Sequence, residues 1–563
     1  MSPPGRPEGE YRKAKLEGTP VTLLDDATVL IPEVFEVHAR SQPDKLAVVC
    51  GPVRRTWGEF NANIDRIARA LHARGIGPGQ QVAVLMGNAV EMLEAVFGTV
   101  KAGACVVPLS GLRTGEQLAA LLADSGAVGA FAGADFRARL APHRGACPAL
   151  RSDALVAMDA LTEAEAAASG AADRWQPLAD WLAASPGGAG EPGRTGGPPV
   201  MLNAGMDFNI IYSSGTTGLP KGIVQTHRAR THWAFSNAIE LGMGEGSRAL
   251  TTTALYSNGT WLMMLPVLFA GGTCVVMPAF SPAGFLATVA AERISHSFMV
   301  PAQYIAVLQA MDDPALAGTD LSSLQSLLCA GSPLRRDTKR AVLERFGPIL
   351  TELYGFSEGF GAMLKPHQHA ERFDSVGRPV LGFDVRILSD DGRALPPGEV
   401  GEIAGYGAGM MRGYHGRPDA TEALIWRDAR GRSFIRSGDL GKVDAQGFLT
   451  IVDRKKDMVI SGGFNVFPSD LEAVVGQHPA VLDVTVIGIP HEKWGETPVA
   501  LVIPRPGTDA TPEAVRDWAN ERLARHQRLA AVEFRDDFPR NALGKVLKRL
   551  LREPYWAGQG SAI

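Results

Sequence analysis

Cysteine is scarce in this chain of 563 residues, and the five present, Cys50, Cys105, Cys147, Cys274 and Cys329, are scattered without a C-x-x-C pair. That spacing excludes a disulfide framework and a structural zinc site, and it suits a reducing cytoplasm. A basic excess is also absent: 56 Lys and Arg stand against 60 Asp and Glu, for a net charge of −4. Such a balance gives no electrostatic case for a nucleic-acid partner. The stretch from Ala249 to Ala291 lacks any charged residue, which invites a membrane reading. Pro266, Gly271, Gly272, Pro278 and Pro282 cut it into pieces shorter than the ~20 residues of a spanning helix, so no integral membrane association is expected. Met1 to Gly18 holds three prolines and no apolar core, which argues against a signal peptide and predicts a flexible tail over residues 1–20.

What is present is ample core material, 45% hydrophobic against 21% charged residues, in a chain too long for one compact core. From Lys45 onward strand and helix patterns alternate: Leu46 to Val49, Trp57 to Arg74, Gln81 to Leu85, Ala89 to Lys101, Ala104 to Pro108, Gly115 to Ala123, Val128 to Ala132. Alternation of this kind predicts an α/β fold, with these pieces forming a first doubly wound subdomain. Gly170 to Val200 turns to Gly, Pro, Ala and Ser and reads as an exposed linker. Alternation resumes after Tyr212 and implies a second sheet, with a helix Pro282 to Arg293 and strands Ser297 to Val300 and Leu324 to Cys329. Asp374 to Gly438 reads as a small β-rich unit. Val481 to Ile489, Pro498 to Ile503, a helix Pro512 to Arg525 and Ala531 to Phe534 suffice for a small α+β domain, separated by a break near Arg454.

The stretch Tyr212-Ser213-Ser214-Gly215-Thr216-Thr217-Gly218-Leu219-Pro220-Lys221-Gly222 follows the apolar run Asn209-Ile210-Ile211. Hydroxyl donors and bare N–H groups, with glycines that permit close approach and one lysine, make it a phosphate loop by composition. Its spacing does not fit a Walker loop, which needs Gly-Lys-Ser/Thr after four spacers. The stretch resembles the signature loop of the adenylate-forming superfamily, which includes acyl-CoA synthetases, luciferases and peptide-synthetase adenylation domains.

Further segments carry the same resemblance in the same order. Tyr354-Gly355-Phe356-Ser357-Glu358 is similar to the Tyr-Gly-x-Thr-Glu motif, and the resemblance places adenine on Tyr354, a hydroxyl at Ser357 and Mg²⁺ at Glu358. Gly331-Ser332-Pro333 would face the adenine and acyl group. Asp439 resembles the ribose-binding aspartate, with Arg454 beside it. Asp453 to Asn465 resembles the hinge motif, with Lys456 as the hinge and Gly462 and Gly463 meeting CoA. Pro539 to Val546 resembles the C-terminal catalytic loop, with Lys545 at the reacting carboxylate. Thr217, Lys221, Glu358 and Lys545 are therefore the expected catalytic residues. Ser213, Ser214, Gly215, Thr216 and Gly218 would hold phosphate.

The resemblance implies a large adenylating domain over residues 21–453 and a mobile α+β domain over residues 454–563. The expected activity is ATP-dependent ligation of a small-molecule carboxylic acid to CoA through an acyl-AMP; a homodimer is compatible with it. Two alternatives stay open: transfer to a carrier-protein thiol or an amine, and a nucleotide-binding regulator without turnover. Ser257 stands where many acyl-CoA synthetases carry His. The acyl pocket is expected among Tyr256, Ser257, Trp261, Met263, Met264, Phe356 and Phe360, and this apolar lining predicts an uncharged short, medium or small aromatic acid.

Overall fold

The computed structural model describes residues 29–162, 165, 174–185, 200–212, 220–462, 464–540 and 544–557. The expected tail and most of the expected linker lie outside the described residues. Two sheets form the large unit. One runs, in spatial order, Gly413–Tyr414, Gly222–Thr226, Asp207–Tyr212, Cys105–Pro108, Gln81–Leu85, Gly129–Ala132, Leu155–Ala157 and Gln176–Pro177. The other runs Arg378–Pro379, Gly361–Leu364, Leu350–Gly355, Ser326–Cys329, His296–Met299, Arg248–Thr251, Thr273–Val276, Leu46–Cys50 and Val53–Thr56. Both are mainly parallel, so helices cover their faces.

The helix Val90–Lys101 is buried along nearly its whole length and touches strands of both sheets, while Asn258–Phe269 is apolar on every side and packs on the second sheet. A helix that is hydrophobic all round has to be buried. The uncharged stretch is thus mostly core from Ala249 to Met277 and reaches the surface at Pro278, Ala279 and Ser281, and no helix among the described residues is long and apolar enough to cross a membrane.

Three expectations are corrected. Leu46–Cys50 does not join the first subdomain: it pairs in parallel with Thr273–Val276 of the second sheet. All five of its residues are apolar, so the pattern carries no information about which sheet receives it. The supposed linker contains the strand Gln176–Pro177 and the helix Leu178–Ala183. There Trp181 is fully buried, donates from Nε1 to Asp153 O (2.9 Å) and lies under the Arg74 guanidinium (4.3 Å). Last, the helix from Pro512 stops at Asn520 rather than Arg525, because the Asn520 amide exchanges hydrogen bonds with the backbone of Leu529 and turns the chain back.

A five-stranded sheet follows, Phe383–Leu388, Gly401–Gly407, Ser433–Val443 and Ile425–Arg427, with Leu449–Arg454 paired to Ser433–Val443. The last sheet, built from Phe464–Val466, Val459–Ser461, Gly495–Pro504, Val481–His491 and Ala531–Phe534, has its own apolar core around Val459, Leu471, Val486 and Val515.

One ion cluster sits deep in the large unit. Lys101, 1% exposed, is paired with Glu36 (2.7 Å) and Asp65 and donates to Asn61 Oδ1 (3.3 Å). Removing the cation leaves two carboxylates in an apolar surround. Lys101→Ala should therefore lower the stability of the large unit by about 3–5 kcal/mol, read as an earlier unfolding transition in urea; Lys101→Met combined with Asp65→Asn and Glu36→Gln should recover most of the loss.

Candidate active site

Among the described residues, Tyr354, Asp439, Arg454 and Lys545 come together although they stand far apart in the sequence. Leu350–Gly355 delivers Tyr354, whose hydroxyl donates to Asp439 Oδ2 (2.7 Å). Burial first, and the Asp439 carboxylate second, hold that hydroxyl protonated far above the ordinary tyrosine range. Asp439 and Arg454 are direct cross-strand partners, and Arg454 Nε stands 3.4 Å from Asp439 Oδ1. Gly438, with φ of +74°, supplies a left-handed turn immediately before Asp439. Gly355 is fixed by crowding: a Cβ there would lie 2.5 Å from Phe360 O.

Lys545 arrives from the far end of the chain. Desolvation first, then the Arg454 charge, pulls its ammonium down to about 8, with Asp439 and Asp457 opposing and Lys456 adding to the fall. Gly544 stands close to the large unit, where a Cβ on it would lie 3.8 Å from Ala302 Cβ. Asp483 of the last sheet adds an ion pair to Arg335 of the large unit and another to Arg540 of the same loop. Lys456 sits in the turn after Arg454, where its carbonyl accepts from Arg552 Nη1 (3.2 Å). Gly462 N donates to Trp494 O (2.8 Å).

A second cluster surrounds Glu358. Tyr414 donates to Glu358 Oε1 (2.7 Å), and Lys221 Nζ lies 4.8 Å from the centre of the Tyr414 ring. Gln225 Nε2 donates to Ser357 O (3.2 Å), which pins the Phe356 to Glu358 turn to the first sheet. Glu358 Oε2 makes no hydrogen bond among the described residues. One carboxylate with a spare oxygen beside a lysine suits Mg²⁺, which keeps several waters and takes one or two carboxylates together with substrate phosphates. Gly331, Ser332 and Pro333 form a solvent-facing turn after Ser326–Cys329.

Ser213, Ser214, Gly215, Thr216, Thr217, Gly218 and Gly463 lie outside the described residues. The proposed pocket residues divide. Phe360 is 1% exposed and packs with Tyr354, Phe356 and Phe383 at the edge of the β unit. Trp261, 2% exposed, belongs instead to the main core against Phe208, with Nε1 bonded to Leu255 O (2.7 Å). Met263 and Met264 are fully buried in that core too. Ser257, largely buried, and the half-buried Tyr256 open the helix Asn258–Phe269.

Sequence reasoning missed Tyr414 and a buried polar group around Arg230. Tyr414 reaches Glu358 because Gly413–Tyr414 pairs with Ile223 and Val224, and no local pattern announces that pairing. Arg230 did leave a signal: His227, Arg230, Ala234 and Asn237 share one face of the helix His227–Leu241 at helical spacing, and all are buried.

Fold and site together define an adenylate-forming enzyme, and comparison with known proteins agrees. Residues 35–415 match the AMP-binding enzyme family and residues 470–545 the AMP-binding enzyme C-terminal domain, so the chain belongs to the AMP-binding enzymes. It is 34% identical to a feruloyl-CoA synthase of an Amycolatopsis species over 92% of this chain and 97% of that protein. Its structure is similar to ATP-bound MatB from Rhodopseudomonas palustris (TM-score 0.80, 26% identity, 94% of this chain and 99% of that one). It is also similar to the o-succinylbenzoate CoA synthetase of Bacillus subtilis in complex with its acyl-adenylate intermediate (TM-score 0.76, 25% identity, 92% and 98%).

The depressed Lys545 gives a pH signature. The cation prevails below about 8 and is lost as pH rises through that value. In the pyrophosphate-releasing half-reaction, kcat/KM for ATP should be level on the acid side of about 8 and fall tenfold per pH unit above it. Lys545→Ala should show low activity without that alkaline limb.

Proposed function

We propose that the protein is an ATP-dependent carboxylic acid–CoA ligase. The observation that carries this reading is the convergence of Tyr354, Asp439, Arg454 and Lys545, drawn from separate stretches of the chain, on one site in an AMP-binding enzyme. In the first step a carboxylate oxygen of the acid attacks the α-phosphorus of ATP, pyrophosphate leaves, and an acyl-AMP forms. In the second, the CoA thiol attacks the acyl carbonyl and AMP leaves with the acid's oxygen.

The residue roles follow from charge. A carboxylate approaching a polyphosphate brings two anions together, so the rate depends on cations set in place beforehand. Lys545 lies where it can lower that repulsion, and Lys221 with the Ser213 to Gly218 segment would hold the outgoing phosphates. Asp439 is suited to accept the ribose hydroxyl hydrogens, with Arg454 alongside, and the Tyr354 ring offers a face to adenine. Glu358, positioned by the Tyr414 hydroxyl, would hold Mg²⁺, which neutralises phosphate charge when bound. Lys456 marks the pivot about which the residues that follow it turn between the steps, with Gly462 and Gly463 then meeting CoA. The acceptor is taken as CoA rather than a carrier protein because the feruloyl-CoA synthase relative is 34% identical, against 30% for a fatty acid–acyl-carrier-protein ligase that aligns over a similar length. The five cysteines, all buried and free, suit a cytoplasmic enzyme.

Two substitutions separate the steps. Lys545→Ala should cut acyl-AMP formation by about three orders of magnitude, whereas thioester formation from supplied acyl-AMP should largely survive. Lys456→Pro removes a soft backbone angle at the pivot and should do the reverse. Pyrophosphate release and thioester formation, assayed separately with ATP, CoA and a panel of acids, check both. Adenylation at the wild-type rate in Lys545→Ala would remove that lysine from the first step.

A further inference from the structure

The helix His227–Leu241 buries a positive charge for which the described residues supply no counter-charge. Arg230 is 3% exposed. Its Nε donates to Asn209 Oδ1 (2.7 Å), its Nη2 donates to Asn258 Oδ1 (2.9 Å), and its guanidinium carbon lies 4.6 Å from the centre of the Trp261 ring. Every one of these partners is neutral. Among the described residues no carboxylate pairs with it, and Nη1 makes no hydrogen bond. The other deeply buried cations of the large unit are treated differently: Lys101 has Glu36 and Asp65, Arg137 has Asp159 and Glu165, and Lys339 has Glu352. Desolvation alone acts on Arg230 and brings it to about 9, so it stays charged at neutral pH.

The neighbouring polar groups are also unmatched. Asn209 Nδ2 and both ring nitrogens of His227 are buried without a hydrogen-bond partner, as is Gln225 Oε1. A buried polar group left unpaired keeps its full desolvation penalty, so their concentration in one place marks a position completed by something other than the protein. Donors outnumber acceptors there, and a charged donor leads them. The cluster adjoins both segments expected to border the acyl group: Asn258 follows Ser257, and Gln225 holds the backbone at Ser357.

We infer that the acid carries a second anionic group, a carboxylate remote from the reacting one, and that Arg230 binds it with Asn209 and His227 beside it. This rests on the ligase reading and narrows its substrate class to dicarboxylic acids. It replaces the uncharged acid expected from the apolar side chains, because that expectation assumed no buried cation near the pocket. A guanidinium offers paired donors to a carboxylate, and the bound carboxylate supplies the counter-charge that the fold withholds. The smaller Ser257 in place of an imidazole leaves the reacting end of the acid to Lys545.

The test is a comparison of matched acids on the full-length protein with ATP and CoA. The α,ω-dicarboxylates from malonate to suberate are set against the monocarboxylates from propionate to octanoate, and homophthalate against phenylacetate. The wild type should prefer at least one dicarboxylate over its matched monocarboxylate in kcat/KM. Arg230→Met should lower kcat/KM for that diacid by roughly a hundredfold, mainly through KM, while the monocarboxylate holds or improves. Arg230→Lys should fall between. A retained or increased monocarboxylate rate cannot come from misfolding. A wild type that favours the monoacid in every pair, or an Arg230→Met variant that loses both members in parallel, would overturn the assignment while leaving the ligase reading intact. If no acid releases pyrophosphate, the ligase reading fails and the assignment with it.

Discussion

The rest of the site depends on the Asp439 carboxylate. One of its oxygens accepts from Tyr354 and the other faces Arg454, its cross-strand partner. Arg454 is also the last residue of the β unit, and the strand Val459–Ser461 that opens the final sheet begins five residues later. The position suited to ribose and the connection between the units are therefore one piece of backbone. A turn of the small unit about residues 455–458 would move Lys545 relative to Asp439 without disturbing the Tyr354–Asp439 bond, which joins the second sheet to the five-stranded sheet.

Energetics divide the molecule along the same line. The large unit is held by two sheets around buried apolar helices, whereas the final sheet has a separate apolar core. The contacts that tie the final sheet's Asp483 to the large unit are ionic and half-exposed, such as Arg335–Asp483. Polar interfaces of this kind permit domain movement, since exposed ion pairs contribute little and are screened by salt. The buried charges behave oppositely. Lys101 is fully paired and structural, whereas Arg230 is left to neutral partners beside the site.

The family to which the chain belongs was legible because its motifs are contiguous strings with a telling composition: hydroxyls and glycines at Ser213 to Gly218, a carboxylate after an aromatic at Tyr354 to Glu358, a lysine after glycine at Lys545. Strand patterns were legible too, as in Gln81–Leu85 and Ala531–Phe534. What could not be read is what depends on partners distant in sequence. The pairing of Leu46–Cys50 with Thr273–Val276, the reach of Tyr414 to Glu358, and the burial of Trp181 each arise from tertiary packing that one strand's pattern does not encode. Side-chain direction was equally hidden: Trp261 and Phe360, expected in one pocket, pack in different clusters. Arg230 escaped notice because an arginine in a helix with a charged, mixed pattern reads as surface, although its spacing from His227 and Ala234 puts it on the inner face.

The central claim is that an acid oxygen becomes bonded to the α-phosphorus of ATP before the thiol attacks. Running the complete reaction with a carboxylic acid labelled in its carboxylate by heavy oxygen, and analysing the products by mass spectrometry, tests this directly. The account predicts one labelled oxygen in each AMP released and none in pyrophosphate. Unlabelled AMP, or label in inorganic phosphate with ADP as the nucleotide product, would contradict it.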